Sequence, residues 1–303
     1  AAPIVGYRYH QDSINSKSRR EAPRITILKV TDADLKAYPP THAYHADILD
    51  RLRKVGAPKV LFIDLLFLDK REDTELLLTA MRKLRENGTK IYIASTQPKK
   101  PLSSDFNGYT QLANSHLSWP ICKNNCELLA AEVTVWKNSD EFSHVDLNYR
   151  LVSPSTGMAM GINSAAYQIF LDLKQSPLNI TSDDEIALVW GTEAETALKT
   201  DSCRNELTWT DNLALPTKLK SYIDSEANKS FCPFFEEITV GDFKRFDYLD
   251  PRIKDQIVFY GFELSGINDY SYIPTTKKPV HSMNIHAMAL DNLLVYGANV
   301  KFD

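Results

Sequence analysis

The pattern of apolar and polar positions turns on residues 59–69, KVLFIDLLFLD, where eight of eleven side chains are apolar and the only interior charge is Asp64. The run is too short to span a bilayer, which takes about 20 apolar residues. Without period-2 alternation it reads as a strand buried on both faces, of the kind found in a parallel sheet covered by helices. A carboxylate inside such a strand is costly, which places Asp64 near the sheet's carboxyl edge.

The flanking pattern repeats strand and helix. Residues 24–30, RITILKV, are β-rich and end at Thr31, Asp32 and Asp34, residues suited to cap a turn. After Pro39 and Pro40, the segment 41–55 puts Ile48, Leu49, Leu52 and Val55 on one helical face and stops at Gly56 and Pro58. A second helix starts at Asp73 or Thr74, carries Leu77, Ala80, Met81 and Leu84, and ends at Gly88. KIYIAST at 90–96 is the next strand. Strands alternating with helices over so short a span predict βαβ units with right-handed crossovers.

Beyond residue 96 the pattern is looser. A surface loop is expected from 97 to about 128, short strands at 132–136 and 149–152, and a helix at 162–173. A further buried strand is expected at 186–190, IALVW, and a long insertion without clear period at 192–247. QIVFYG at 256–261 is a third apolar strand, followed by a loop through Pro279. The closing stretch 282–296 puts Ile285, Met288, Ala289 and Leu293 on one helical face. The expected fold is α/β: a mostly parallel central sheet with helices on both faces and a long, disulfide-stapled loop insertion. One domain covers residues 1–303, with 1–23 as an exposed lead-in.

Composition narrows the partners. With 43% hydrophobic residues among 303 the chain can build a sizeable core. Its 35 basic and 39 acidic residues give a formal charge of −4 with no basic stripe, which argues against nucleic acid as a partner. The chain opens on Ala-Ala-Pro, as expected of an excised or processed segment. Cys122, Cys126, Cys203 and Cys232 lie in polar, loop-like sequence, where two disulfides are the simplest reading and free thiols or a zinc site the alternatives. Disulfides would place the chain outside the cytosol.

Four segments carry a resemblance: VLFIDLLF at 60–67, HVDLNYRLV at 144–152, IVFYGFELSGINDYSYIP at 257–274 and IHAMALDNLL at 285–294. In this order they resemble the second class of CHASE domain, the cyclase and histidine-kinase-associated sensory extracellular module. The last segment, with its Ile-His-Ala followed by Leu-Asp and paired leucines, is the most specific. The resemblance implies a bacterial receptor ectodomain held between membrane helices outside this chain, with a cytoplasmic output domain. It implies no catalysis and no cofactor. The implied partners are a small ligand or ion, the membrane, and a second copy of the chain as an admissible homodimer.

In open α/β sheets ligands bind at the carboxyl ends of the strands. Asp32, Asp64 and Asp269 follow or end predicted strands, and with His286 they fall at motif positions of the resemblance. They are expected to line one acidic pocket able to hold a hard cation or an amine-bearing ligand. The alternative is that the aspartates cap helices and pair with Lys or Arg. His42 and His45 resemble half a metal site but lack a third ligand nearby, Arg150 is expected to snorkel or pair, and His286 could sense pH. The competing class is a secreted α/β hydrolase-like enzyme using strand-end aspartates; the chain has no G-x-S-x-G elbow, phosphate-binding glycine loop or H-E-x-x-H to support it.

Overall fold

In this computed structural model the described residues are 23–67, 71–95, 131–134, 148–152, 163–174, 177–178, 185–188, 235–245, 248–265, 270–272, 279–297 and 300. Strand β1 (Ile25–Thr31) is followed by one 3-10 turn at Asp32–Asp34. Helix α1 (His42–Lys54) starts where the Thr41 side chain accepts the Tyr44 N–H at 3.1 Å. It ends before Gly56, whose φ of +127° suits glycine. Strand β2 (Val60–Asp64), helix α2 (Thr74–Glu86) and strand β3 (Lys90–Ser95) complete two βαβ units. Asp73 stands at the N-cap of α2, but its carboxylate accepts the Ala43 N–H of α1 at 2.7 Å, so it ties the two helix starts together.

Strands β4 (Ala131–Thr134), β7 (Glu236–Thr239) and β8 (Ile257–Glu263) complete the sheet. The order is β4-β3-β2-β8-β1-β7, parallel at every pairing, so six carboxyl ends share one rim. Strand β5 (Asn148–Arg150), helix α3 (Ala165–Lys174) and strand β6 (Glu185–Ala187) lie between β4 and β7 in sequence. Helix α4 (Val240–Phe243) follows β7. A hairpin of β9 (Tyr270–Tyr272) and β10 (Pro279–His281) leads directly into α5 (Ser282–Tyr296).

Alternate residues of each strand feed different cores, as the two-residue period of a strand requires. Ile25, Ile27, Val60, Phe62, Ile257 and Phe259 join the buried residues of α3 and α5. Leu28, Val30, Leu61, Ile63, Val258 and Tyr260 join those of α1, α2 and α4. Helices therefore cover both faces. The closing helix is buried from Ser282 to Val295 without a break, rather than along one stripe, because it lies between the sheet and α3.

The expected apolar strand QIVFYG is β8, which stands between β1 and β2 and links the two halves of the sheet. Three expectations are corrected. IALVW does not enter the central sheet; β6 pairs antiparallel with β5 in a separate two-stranded sheet, and Ile186 and Leu188, two residues apart, are its buried members. The stretch 192–247 supplies an edge strand, β7, and α4. That strand was hidden because EEIT offers the core a single apolar residue, Ile238. The loop expected up to Pro279 contains the β9–β10 hairpin. The four cysteines, and with them the expected disulfides, lie outside the described residues.

Candidate functional site

On the α5 face of the sheet, the apolar positions give way to polar ones towards the carboxyl rim. Strand β1 runs Ile25, Ile27, Lys29, and β2 runs Val60, Phe62, Asp64. Strand β8 runs Ile257, Phe259, Gly261, Glu263, and β7 contributes Glu237, which pairs with Ile27. Two-residue periodicity puts all of these on one side. The first half of α5 is laid across this polar end.

Lys29 is the electrostatic centre of one half of the site. Its ammonium is 2.9 Å from Glu237 Oε2 and 2.9 Å from Glu263 Oε2, and its side chain is only 18% exposed. Burial works against its charge, but Glu237 and Glu263 outweigh it and raise its pKa above the ordinary lysine value. Asn284 of α5 donates its Nδ2–H to Glu237 Oε1 at 3.2 Å, so the ion cluster grips the helix directly.

Across β8 the second half is Asp64, Tyr149 and His286. Asp64 lies opposite Gly261 in the β2–β8 register. A Cβ on Gly261 would come to 3.0 Å from Met283 Sδ and 3.3 Å from Asp64 Cβ, so glycine leaves room for the close approach of α5 to the sheet here. His286 packs edge-on against Phe62, and its Nδ1 is 2.7 Å from the Tyr149 hydroxyl. That hydroxyl sits at the start of α3, where it accepts the Ala166 N–H at 3.5 Å. Burial pushes the Tyr149 phenol far above its usual range; hydrogen bonds from Ser164 and Ala166 oppose this, and the charge of Asp64 adds to it. Tyr149 is therefore a neutral hydrogen-bonding group that joins β5, α3 and α5, not a base.

Asp64 and His286 are thus brought to one site around Tyr149, the first through its charge and the second through a hydrogen bond. Asp32 is not part of it: its carboxylate is exposed, accepts the Ser265 N–H at 3.0 Å, and lines a separate crevice with Leu264 and Ser265. Asp269 lies outside the described residues. Asp34 acts as a cap, accepting from the Thr31 N–H and hydroxyl at 2.8 Å each. Arg150 pairs with Glu185 across β5 and β6 at 2.9 Å. Among the described residues no group of three or more His, Cys, Asp and Glu is arranged to hold a metal ion.

His42 and His45 lie on the opposite face. His42 Nδ1 meets Thr74 Oγ1 at 2.8 Å and His45 Nδ1 meets the Tyr260 hydroxyl at 2.6 Å, with Phe67 edge-on to both rings. Burial, reinforced by His42 and Arg71 and opposed by Asp73, pushes the His45 imidazole down to about 3.

Sequence reasoning missed Lys29, Tyr149, Glu237, Glu263 and Asn284. For Lys29 a signal existed: in RITILKV the alternation puts it on the same side as Ile25 and Ile27, a charge at an inward position that calls for partners.

A family model described as the CHASE2 domain matches residues 8–302. No curated protein and no solved structure matches the chain.

Proposed function

The chain belongs to the CHASE2 domain family, a family of extracellular sensory domains, and on that premise we propose that it is the stimulus-sensing ectodomain of a bacterial transmembrane signalling receptor. It acts outside the cytoplasm. Binding at the carboxyl rim biases the seating of α5, and α5 passes that bias towards membrane helices and a cytoplasmic output domain. No helix among the described residues is long and apolar enough to cross a membrane.

The observation that carries the proposal is the seating of α5. It has no solvent face from Ser282 to Val295, and its polar residues Asn284 and His286 are engaged with the charged end of the sheet and with Tyr149. A close-packed helix shifts between discrete arrangements rather than deforming gradually. A ligand that favours one arrangement changes the population of both by its difference in affinity.

Asp64 and His286 are placed to read such a change, and Asp32 to meet the ligand at the neighbouring crevice. The test is output from the full-length receptor. Gly261→Ala, which crowds the contact of β8 with Met283 and Asp64, should change basal signalling, while Leu76→Ser on the exposed side of α2 should not. Identical output from Gly261→Ala and wild type, with both present at equal levels, would remove α5 as the transmitting element.

A further inference from the structure

The chain leaving β1 goes to α1 on one face of the sheet, whereas the chain leaving β8 goes through the β9–β10 hairpin to α5 on the other. Neighbouring parallel strands whose continuations diverge in this way leave a crevice between their carboxyl ends, the place where open α/β sheets take ligands. A cavity of about 450 Å³ lies there, lined by Asp32, Leu35, Lys36, Tyr38, Leu264 and Ser265. That volume is within the range of about 300–1,000 Å³ typical of small-molecule sites.

The lining is chemically divided. Asp32 offers a carboxylate that the Ser265 N–H orients and holds below the usual carboxylate range, so it is ionised at neutral pH. Lys36 offers an ammonium. Among the described residues neither group is within ion-pair distance of an opposite charge. The rest of the lining includes the buried Leu264, the half-buried Leu35 and the Tyr38 ring, which is 61% exposed and braced edge-on by Phe262 at 6.0 Å.

We propose that this crevice binds a small zwitterion of the α-amino acid class, its ammonium on Asp32, its carboxylate towards Lys36 and its side chain against Leu35, Tyr38 and Leu264. A bare cation would be repelled by Lys36 and a bare anion by Asp32; a molecule carrying both charges satisfies both. For its consequence the site rests on the sensor reading: Ser265 is the residue from which the chain sets out towards β9, β10 and α5, so occupancy bears on the segment that delivers the helix.

The test uses the 303-residue chain, calorimetry and thermal shift, with glycine, leucine, phenylalanine, glutamate and lysine as probes. At least one should bind and raise the melting temperature. Its decarboxylated and deaminated analogues (isopentylamine and 4-methylpentanoate for leucine) should bind at least tenfold more weakly. Asp32→Asn and Lys36→Gln, substitutions at exposed residues that each remove one charge, should each cost at least tenfold in affinity without lowering the melting temperature of the free chain. Absence of millimolar binding by every probe, equal binding of a singly charged analogue or of calcium, or undiminished affinity in both variants would each overturn the site. Amide exchange across α5 separates this outcome from the sensor reading. Binding that leaves that exchange unchanged supports the site and counts against transmission through α5, whereas absence of binding leaves transmission to the Gly261→Ala test.

Discussion

The two faces of the sheet are built on different principles. On one, α1 and α2 are amphipathic: each buries a stripe and turns a charged side to water, with Arg53, Lys54 and Asp50 on α1 and Arg82 and Glu75 on α2 in exposed or half-exposed pairs. Such pairs contribute about 0–1 kcal/mol each, so that face is held mainly by its apolar core. On the other, α5 has no water-facing side, and its first half joins apolar packing by Met283, Ile285 and Met288 to polar contacts made by Asn284 and His286. The difference shows where rigidity and where adjustability reside. A stripe-on-sheet helix has one good packing, while a core helix that also makes polar contacts at one end can be biased by altering them.

The sharpest way to break this contrast is to place a charge on each face. Ala289→Glu in α5, fully buried, should cost more than about 4 kcal/mol and prevent folding, because an unpaired carboxylate would be enclosed in the core. Leu76→Glu in α2, where Leu76 is 56% exposed, should change stability by no more than about 0.5 kcal/mol in urea unfolding. Comparable losses at both sites would mean that α5 is an ordinary surface helix.

Acid should act on the α1 face through His45. Its imidazole is held neutral in the folded state, with a pKa near 3 against an ordinary 6.5, so the unfolded chain binds the extra proton and stability falls as pH drops from about 6.5 towards 3. The loss should amount to a few kcal/mol, and His45→Gln should flatten that limb of the stability–pH curve. An unaltered acid limb in the variant would show that His45 is not the group responsible.

Gly261→Ala comes next. The added methyl overpacks the contact with Met283 and Asp64, at a cost of about 1–3 kcal/mol by chemical denaturation. Lys29→Met should cost a similar or smaller amount, about 1–3 kcal/mol, because Glu237 and Glu263 lose their shared cation. Because the lysine pKa is raised in the folded state, its contribution is fully present below about pH 10 and fades only above it, so the two proteins should converge in strong alkali.

What was legible in the sequence follows the same contrast. The elements that bury a stripe or both faces of a strand announced themselves: RITILKV became β1, residues 60–64 of the 59–69 run became β2 with Asp64 at its end, and the helices at α1 and α2 fell within a residue or two of their expected limits. The closing helix was found at its observed limits, but only one side of it was recognised as buried, since Ser282, Asn284, His286 and Asp291 look like a solvent face until α3 and the charged rim are brought against them. Strand β7 stayed hidden because an edge strand whose glutamates serve an ion cluster has no apolar alternation to display. Asp64 and His286 were visible as strand-end and helix-start residues, but the lysine, tyrosine and asparagine around them come from separate elements that only the sheet order assembles.

The central claim is that the charged end of the sheet holds the first half of α5. It is tested most directly by amide hydrogen exchange in Lys29→Met and wild type, followed peptide by peptide. The account predicts faster exchange across residues 282–290 with α1 unchanged. Exchange that is unchanged at 282–290, or that rises equally in α1 and α5, would contradict it.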